Sequence, residues 1–217
     1  WTKRSEGREN SRWTLKEWLA QKERNQMMDI WLAMNSPSPY ELSLQGGYSS
    51  YQKEQILPLP LITSDHKTYR GSLSAYAQIF GLTLDYENNT EENFNDLAAS
   101  FNLRLLGNSL QNSHLTLSYG QRTRENQNAI PTRLLQQFAD VNLNFHFSRH
   151  FGLIGNYRSF IPTTSPTLGE VSGHTSKVGV FIDYGIVRIY GQRVLEIDKT
   201  NVEIQRTGIE SGLQFYF

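Results

Sequence analysis

The sequence has no cysteine, which excludes a disulfide framework, thiolate catalysis and thiolate metal sites. It has no excess of either charge: 21 basic and 21 acidic residues leave a formal net charge of zero. Neither nucleic acid nor an anionic membrane surface is therefore expected as the principal partner. No window approaches the ~18 uninterrupted apolar residues of a spanning helix, which excludes a helical membrane protein. No charged-then-apolar leader opens the sequence at Trp1, so the expectation is a chain made without one or already relieved of it. The 217 residues leave room for one or two domains and a sizeable core.

What is present divides near residue 39. Residues 1–12 are polar and read as a mobile arm. Thr14-Leu-Lys-Glu17 is a capping box, with Trp13 and Trp18 at the positions of the accompanying hydrophobic staple. The spacing predicts a helix running to about Met34 and ending before Pro37 and Pro39, since proline cannot continue it. Its apolar residues (Leu15, Trp18, Leu19, Met27, Ile30, Trp31, Met34) only partly share a face, so it is modestly amphipathic. Trp13, Trp18 and Trp31 are its candidate contacts, either as anchors at a membrane interface or, as the incomplete face favours, against a protein partner.

From Tyr40 the period changes from 3.6 to 2 and stays there to Phe217. Tyr40, Leu42, Leu44, Gly46 and Tyr48 alternate with Glu41, Ser43, Gln45, Gly47 and Ser49. Leu97, Ala99, Phe101, Leu103 and Leu105 alternate with Ala98, Ser100, Asn102 and Arg104. Short turns recur near Gly81, residues 106–114, Gly152 and Gly185. Longer polar stretches separate the other strand pairs at 52–67, 87–95, 121–133 and 161–175. The result is an all-β reading: ten antiparallel up-and-down strands near 40–52, 68–80, 82–88, 95–106, 113–123, 133–148, 152–162, 174–184, 186–198 and 202–217. An even number places both barrel ends on the short-turn side, which is the reason for dividing 69–87 at Gly81. The domain reading is an N-terminal arm and helix over 1–39 and a barrel over 40–217.

Alternation alone fits a soluble barrel or a membrane barrel, which differ in the side that is apolar. Three features favour lipid on the outside. The polar face carries matched charges that a closed lumen can pair: Glu41, Arg70, Asp85, Asp96, Arg104, Arg122, Arg158, Lys177, Asp183, Arg188 and Glu210. Aromatic residues on the other face fall near strand ends, where interfacial girdles belong: Tyr86, Tyr119, Tyr157, Tyr184, Phe215 and Phe217. Small residues such as Gly71, Ala75 and Ala99 alternate on that face, which lipid tolerates better than a packed core.

The terminus Gly212-Leu-Gln-Phe-Tyr-Phe217, apolar at Leu213, Phe215 and Phe217, resembles the carboxy-terminal signal of bacterial outer-membrane β-barrels. The resemblance implies a ten-stranded transmembrane barrel in a Gram-negative outer membrane, inserted by the barrel assembly machinery. It further implies outer-membrane lipid and lipopolysaccharide as surroundings, and short turns and both termini in the periplasm.

Enzyme chemistry finds little support. Asp65-His66 is compared with the acid–histidine sets of omptin-type proteases, but adjacent residues without a second acid pair do not place a base within reach of its partners. His146 and Ser148 have the spacing of lipid A deacylases and would share a strand face, yet the polar inner one, where a histidine bonded to asparagine neighbours is expected. His146 and His150 lie roughly 13 Å apart along an extended strand, too far for one ion unless the turn folds them together. No cofactor motif is found. The expected function is a structural or interaction protein working through its outer loops and N-terminal helix. A narrow pore and a lipid-modifying or proteolytic barrel are the alternatives.

Overall fold

The computed structural model describes residues 39–55, 64–126, 132–165, 169–200 and 203–217, together with Leu19, Lys22, Glu23 and Met27. Those last four positions carry helical backbone. The capping box and Trp13, Trp18 and Trp31 lie outside the described residues.

Ten strands form the second part of the chain: β1 (Tyr40–Gln55), β2 (Ser64–Ala77), β3 (Phe80–Asn89), β4 (Phe94–Leu106), β5 (His114–Asn126), β6 (Thr132–His146), β7 (Phe151–Ser165), β8 (Gly169–Tyr184), β9 (Val187–Lys199) and β10 (Glu203–Tyr216). Each pairs antiparallel with its chain neighbours, and β1 pairs with β10 from Ser43–Tyr216 to Gln55–Ile204, so the sheet closes into a barrel. Closure leaves no edge strand with unpaired backbone groups, the condition for sheet structure in hydrocarbon. At the closing seam, Leu42 and Phe217 exchange backbone hydrogen bonds in both directions.

The alternation sorts side chains by surroundings. Leu84, Leu143, Val180 and Ile209 stand outward, between 48 % and 69 % exposed, whereas Phe138, Gln136, Arg188 and Glu210 point inward and are essentially inaccessible. An apolar exterior around a polar interior is stable only with lipid outside. The outer belt runs from Tyr40, Phe80, Phe151 and Tyr184 at the short-turn end to Tyr48, Tyr69, Tyr86, Tyr119 and Tyr157, all of them exposed. Six to eight residues of tilted strand make this span about 15–20 Å.

The turn between β2 and β3 falls at Gln78-Ile79, with Gln78 at φ 57°, two residues before the predicted break. Gly81 is instead a strand residue paired with Tyr76. A Cβ there would lie 2.6 Å from the Tyr76 ring, so its missing side chain makes room for an inward aromatic. At Gly185 the φ of 63° is the left-handed conformation that the tight β8–β9 turn needs.

The long loops are shorter than the sequence suggests. Strand structure takes up 52–55, 64–67, 121–126, 132–133, 161–165 and 169–175. Above the tyrosine ring the wall meets water, so the apolar alternation fades (Gln52, Lys67, Thr123) while the hydrogen-bond ladder continues. In β7 the register shifts between Phe160 and Thr163, where Pro162 lacks the N–H that pairing would use.

Candidate functional site

Among the described residues, the lumen is where the topology gathers chemistry-bearing side chains from all ten strands. The eleven charges singled out in the sequence all face it. So do Glu87, Arg124, Asp140, Glu196, Asp198 and Arg206, which share the parity of their neighbours on β3, β5, β6, β9 and β10. Parity could have found them. Arg124 fell just past the predicted end of its strand. Glu92, in the β3–β4 turn, is brought in by tertiary structure alone.

At the short-turn end Arg104 donates to Glu41 at 2.6 Å. The segment joining β4 to β5 folds inward there, so that Leu110 packs against Tyr76 and Tyr216 while its backbone N–H donates to Glu41 at 3.2 Å. Arg188 makes a two-armed contact with Asp183 (2.6 and 2.8 Å), donates to Asn144 at 2.8 Å, and lies 3.7 Å above the Phe181 ring. Rings and a planar guanidinium thus occupy the lumen at this end.

Midway, Glu210 accepts from Arg70 (2.7 Å), Lys177 (3.0 Å) and Gln192 (2.9 Å). Arg70 also donates to Glu87 at 2.8 Å. Arg158, stacked on Phe138, joins Asp140 to Asp85 with 2.9 Å contacts to each. The cavity among these groups has a volume of about 210 Å³ and is lined by Arg70, Asp85, Glu87, Lys177 and Glu210.

At the far end Asp96 accepts from Arg122 and Arg124, and Arg124 reaches Asp198 at 3.0 Å. Arg206 joins Asp198 (2.6 Å) to Glu92 (3.0 Å), which also holds Lys53 at 2.9 Å. Arg122 and Arg124 lie over the rings of Phe160 and Phe94. Inward aromatics thus act as platforms for the guanidinium groups, a contact worth more where water is excluded.

Burial works to raise the pKa of Glu92, but hydrogen bonds and charge from Arg206 and Lys53 outweigh it and hold the carboxyl at about 2. A folded-state value below the ordinary 4.5 means that this contact stabilises fully above the ordinary value and is lost as pH falls toward the lower one. Amide exchange in the β3–β4 turn is expected to accelerate over that acidic interval. Glu92→Gln should remove the acidic acceleration, and an unchanged profile would deny the ion pair its role.

The catalytic candidates separate. His66 faces inward, stacked on Tyr51 at 5.5 Å and within 3.4 Å of Glu91, while Asp65 faces out. His146 meets Asp183 at 2.9 Å rather than the expected asparagines; the histidine bonded to Asn144 is His114, at 3.0 Å. Strand β6 ends at His146, so Ser148 lies in the turn, accepting the backbone N–H of His150 and Phe151. The turn does bring His150 to the Asp183 carbonyl (3.1 Å). Among the described residues no group of three or more acidic or histidine side chains is arranged for a metal ion. The outward aromatics Tyr86, Tyr119, Tyr157, Tyr184, Phe215 and Phe217 lie on the apolar face, and Leu213 with Phe215 and Phe217 forms the outward row of β10. Tyr48 and Tyr69 join them as a ring pair 5.6 Å apart.

No protein-family model and no curated protein matches the chain. Solved structures with a similar course include the outer membrane protease OmpT from Escherichia coli, with TM-score 0.46, 11 % identity, and coverage of 82 % of this chain and 96 % of that one. Neisserial surface protein A gives TM-score 0.40 and 12 % identity over 83 % of this chain and 98 % of that one. The N-terminal barrel of Pseudomonas aeruginosa OprF gives 0.39 and 10 % over 80 % and 97 %. The chain is a closed ten-stranded antiparallel barrel, and bacterial outer-membrane barrels are among the solved structures similar to it.

Proposed function

We propose that the protein is a bacterial outer-membrane barrel with a structural or interaction role and a lumen that does not conduct. The observation that carries this reading is the set of ion pairs crossing the interior. Arg158 on β7 reaches Asp85 on β3, and Arg124 on β5 reaches Asp198 on β9. Each bridge joins strands four apart in a ring of ten, so it spans the lumen rather than lining it. A selectivity filter needs charges left free to meet ions; these charges meet one another. Ten strands also lie nearer the side-chain-filled barrels than the wide channels.

In this reading the short turns and both chain termini face the periplasm, and lipopolysaccharide surrounds the opposite end of the barrel. Leu213, Phe215 and Phe217 serve as the signal read by the barrel assembly machinery. Partners are met through the polar wall above the tyrosine ring, through the segments that join its strands, and through Trp13, Trp18 and Trp31 of the N-terminal segment.

Planar-bilayer recording on the purified protein tests the closed lumen. No steady current is expected. A sustained conductance would favour the narrow-pore alternative, for which the central cavity of about 210 Å³ supplies volume inside the barrel.

A further inference from the structure

On β1, β2, β3, β5 and β7, tyrosine marks the upper limit of the apolar belt. On β8, β9 and β10 it does not. Arg193 stands at that level: it is six residues from the start of β9 at Val187, as Tyr86 is from Phe80 on β3 and Tyr157 from Phe151 on β7. Its side chain faces outward. Its register partners are Val178 and Ile209, 65 % and 69 % exposed. No carboxylate among the described residues pairs with it.

The surroundings are shaped as well as apolar. Ser176 and Thr207 flank Leu195 in the register, which places both on the outward face diagonal to Arg193, within reach of a long side chain. The Thr207 hydroxyl accepts from Gln205 at 3.4 Å, which leaves its own proton to donate. Below, Gly191 pairs with Ser211, and a Cβ at Gly191 would meet nothing within 4 Å. A shallow groove follows, lined by Gly191, Arg193, Thr207 and Ile209.

A guanidinium stays charged at the edge of hydrocarbon, and its fork matches the oxygens of phosphate. We propose that Arg193, with the hydroxyls of Ser176 and Thr207, binds the phosphate headgroup of a membrane lipid at the long-loop end of the barrel. The acyl chain lies along the depression over Gly191 and Ser211. The site opens sideways between two apolar side chains, so its occupant carries hydrocarbon with its phosphate. Free phosphate would supply only half of the match. The proposal rests on the membrane reading of the apolar belt.

The test compares the purified protein with R193Q and R193K in detergent micelles containing either phosphatidic acid or diacylglycerol with the same acyl chains. Retained lipid is read by native mass spectrometry. Phosphatidic acid is expected to stay with the wild type, to fall by about tenfold or more in R193Q, and to be intermediate in R193K, as loss of a charge-assisted two-armed contact requires. Excess inorganic phosphate should not displace it. Equal retention by R193Q, equal retention of diacylglycerol, or displacement by free phosphate would each overturn the site. R193Q removes a charge from the lipid face, so it should insert into phosphatidylcholine vesicles at least as well as wild type. Failure of both proteins to insert would instead defeat the membrane reading.

Discussion

Leu143→Arg is expected to destabilise the barrel in lipid vesicles by about 2–4 kcal/mol, the cost of a cation at the bilayer midplane. Leu143 is 48 % exposed on the outward face of β6, between Phe145 near one boundary and Ala139 near the other. Its register partners are Leu115 and Gly155, so no acid stands beside it to receive the guanidinium. Leu103→Arg on β4 should behave alike, since Leu103 pairs with Phe80 and Leu117. Urea midpoints for folding into phosphatidylcholine vesicles would measure both. Tolerance at both positions would mean that the outward face does not meet hydrocarbon. Arg193 is no counterexample, because it sits at the tyrosine level, where such a cost fades toward zero.

The second large effect lies inside. Glu210 is 1 % exposed and holds both Arg70 and Lys177. Glu210→Leu leaves Lys177 without a carboxylate contact among the described residues, whereas Arg70 retains Glu87. Stranding a buried ammonium is expected to cost about 3–5 kcal/mol. Removing the cation as well, in Glu210→Leu/Lys177→Met, should recover much of that, since a matched apolar pair often replaces a buried ion pair at little cost. Denaturant unfolding of the single and double variants checks this. Equal stability of Glu210→Leu and wild type would show a lumen wet enough to solvate the charge, and would weaken the plugged reading with it.

Much of this molecule was legible before any coordinate. A period of two continued from Tyr40 to the last residue, so the strand count and the face of each side chain followed from parity; Leu97 and Ala98 needed no other information. Legibility failed where the surroundings stop differing between the faces. Above the tyrosine ring both sides of the wall meet water, and Arg124, Glu125 and Asn126 read as loop although they are paired strand. It failed again at Gly81, because a glycine that admits an aromatic ring and a glycine that makes a turn look alike in sequence.

The sequence by itself determined a meander with one apolar and one charged face, because hydrogen-bonded strands place alternate residues on opposite sides whatever their partners are. Only the tertiary structure decided which charges meet. Strand closure with its particular stagger sets Arg158 against Asp85 and Arg124 against Asp198, brings Glu92 from a turn to Arg206, and folds Leu110 into the mouth. Those contacts join residues whose distance along the chain carries no trace of their distance around the ring. The same closure put Arg193 level with tyrosines on other strands, and that height depends on how the strands are sheared past one another.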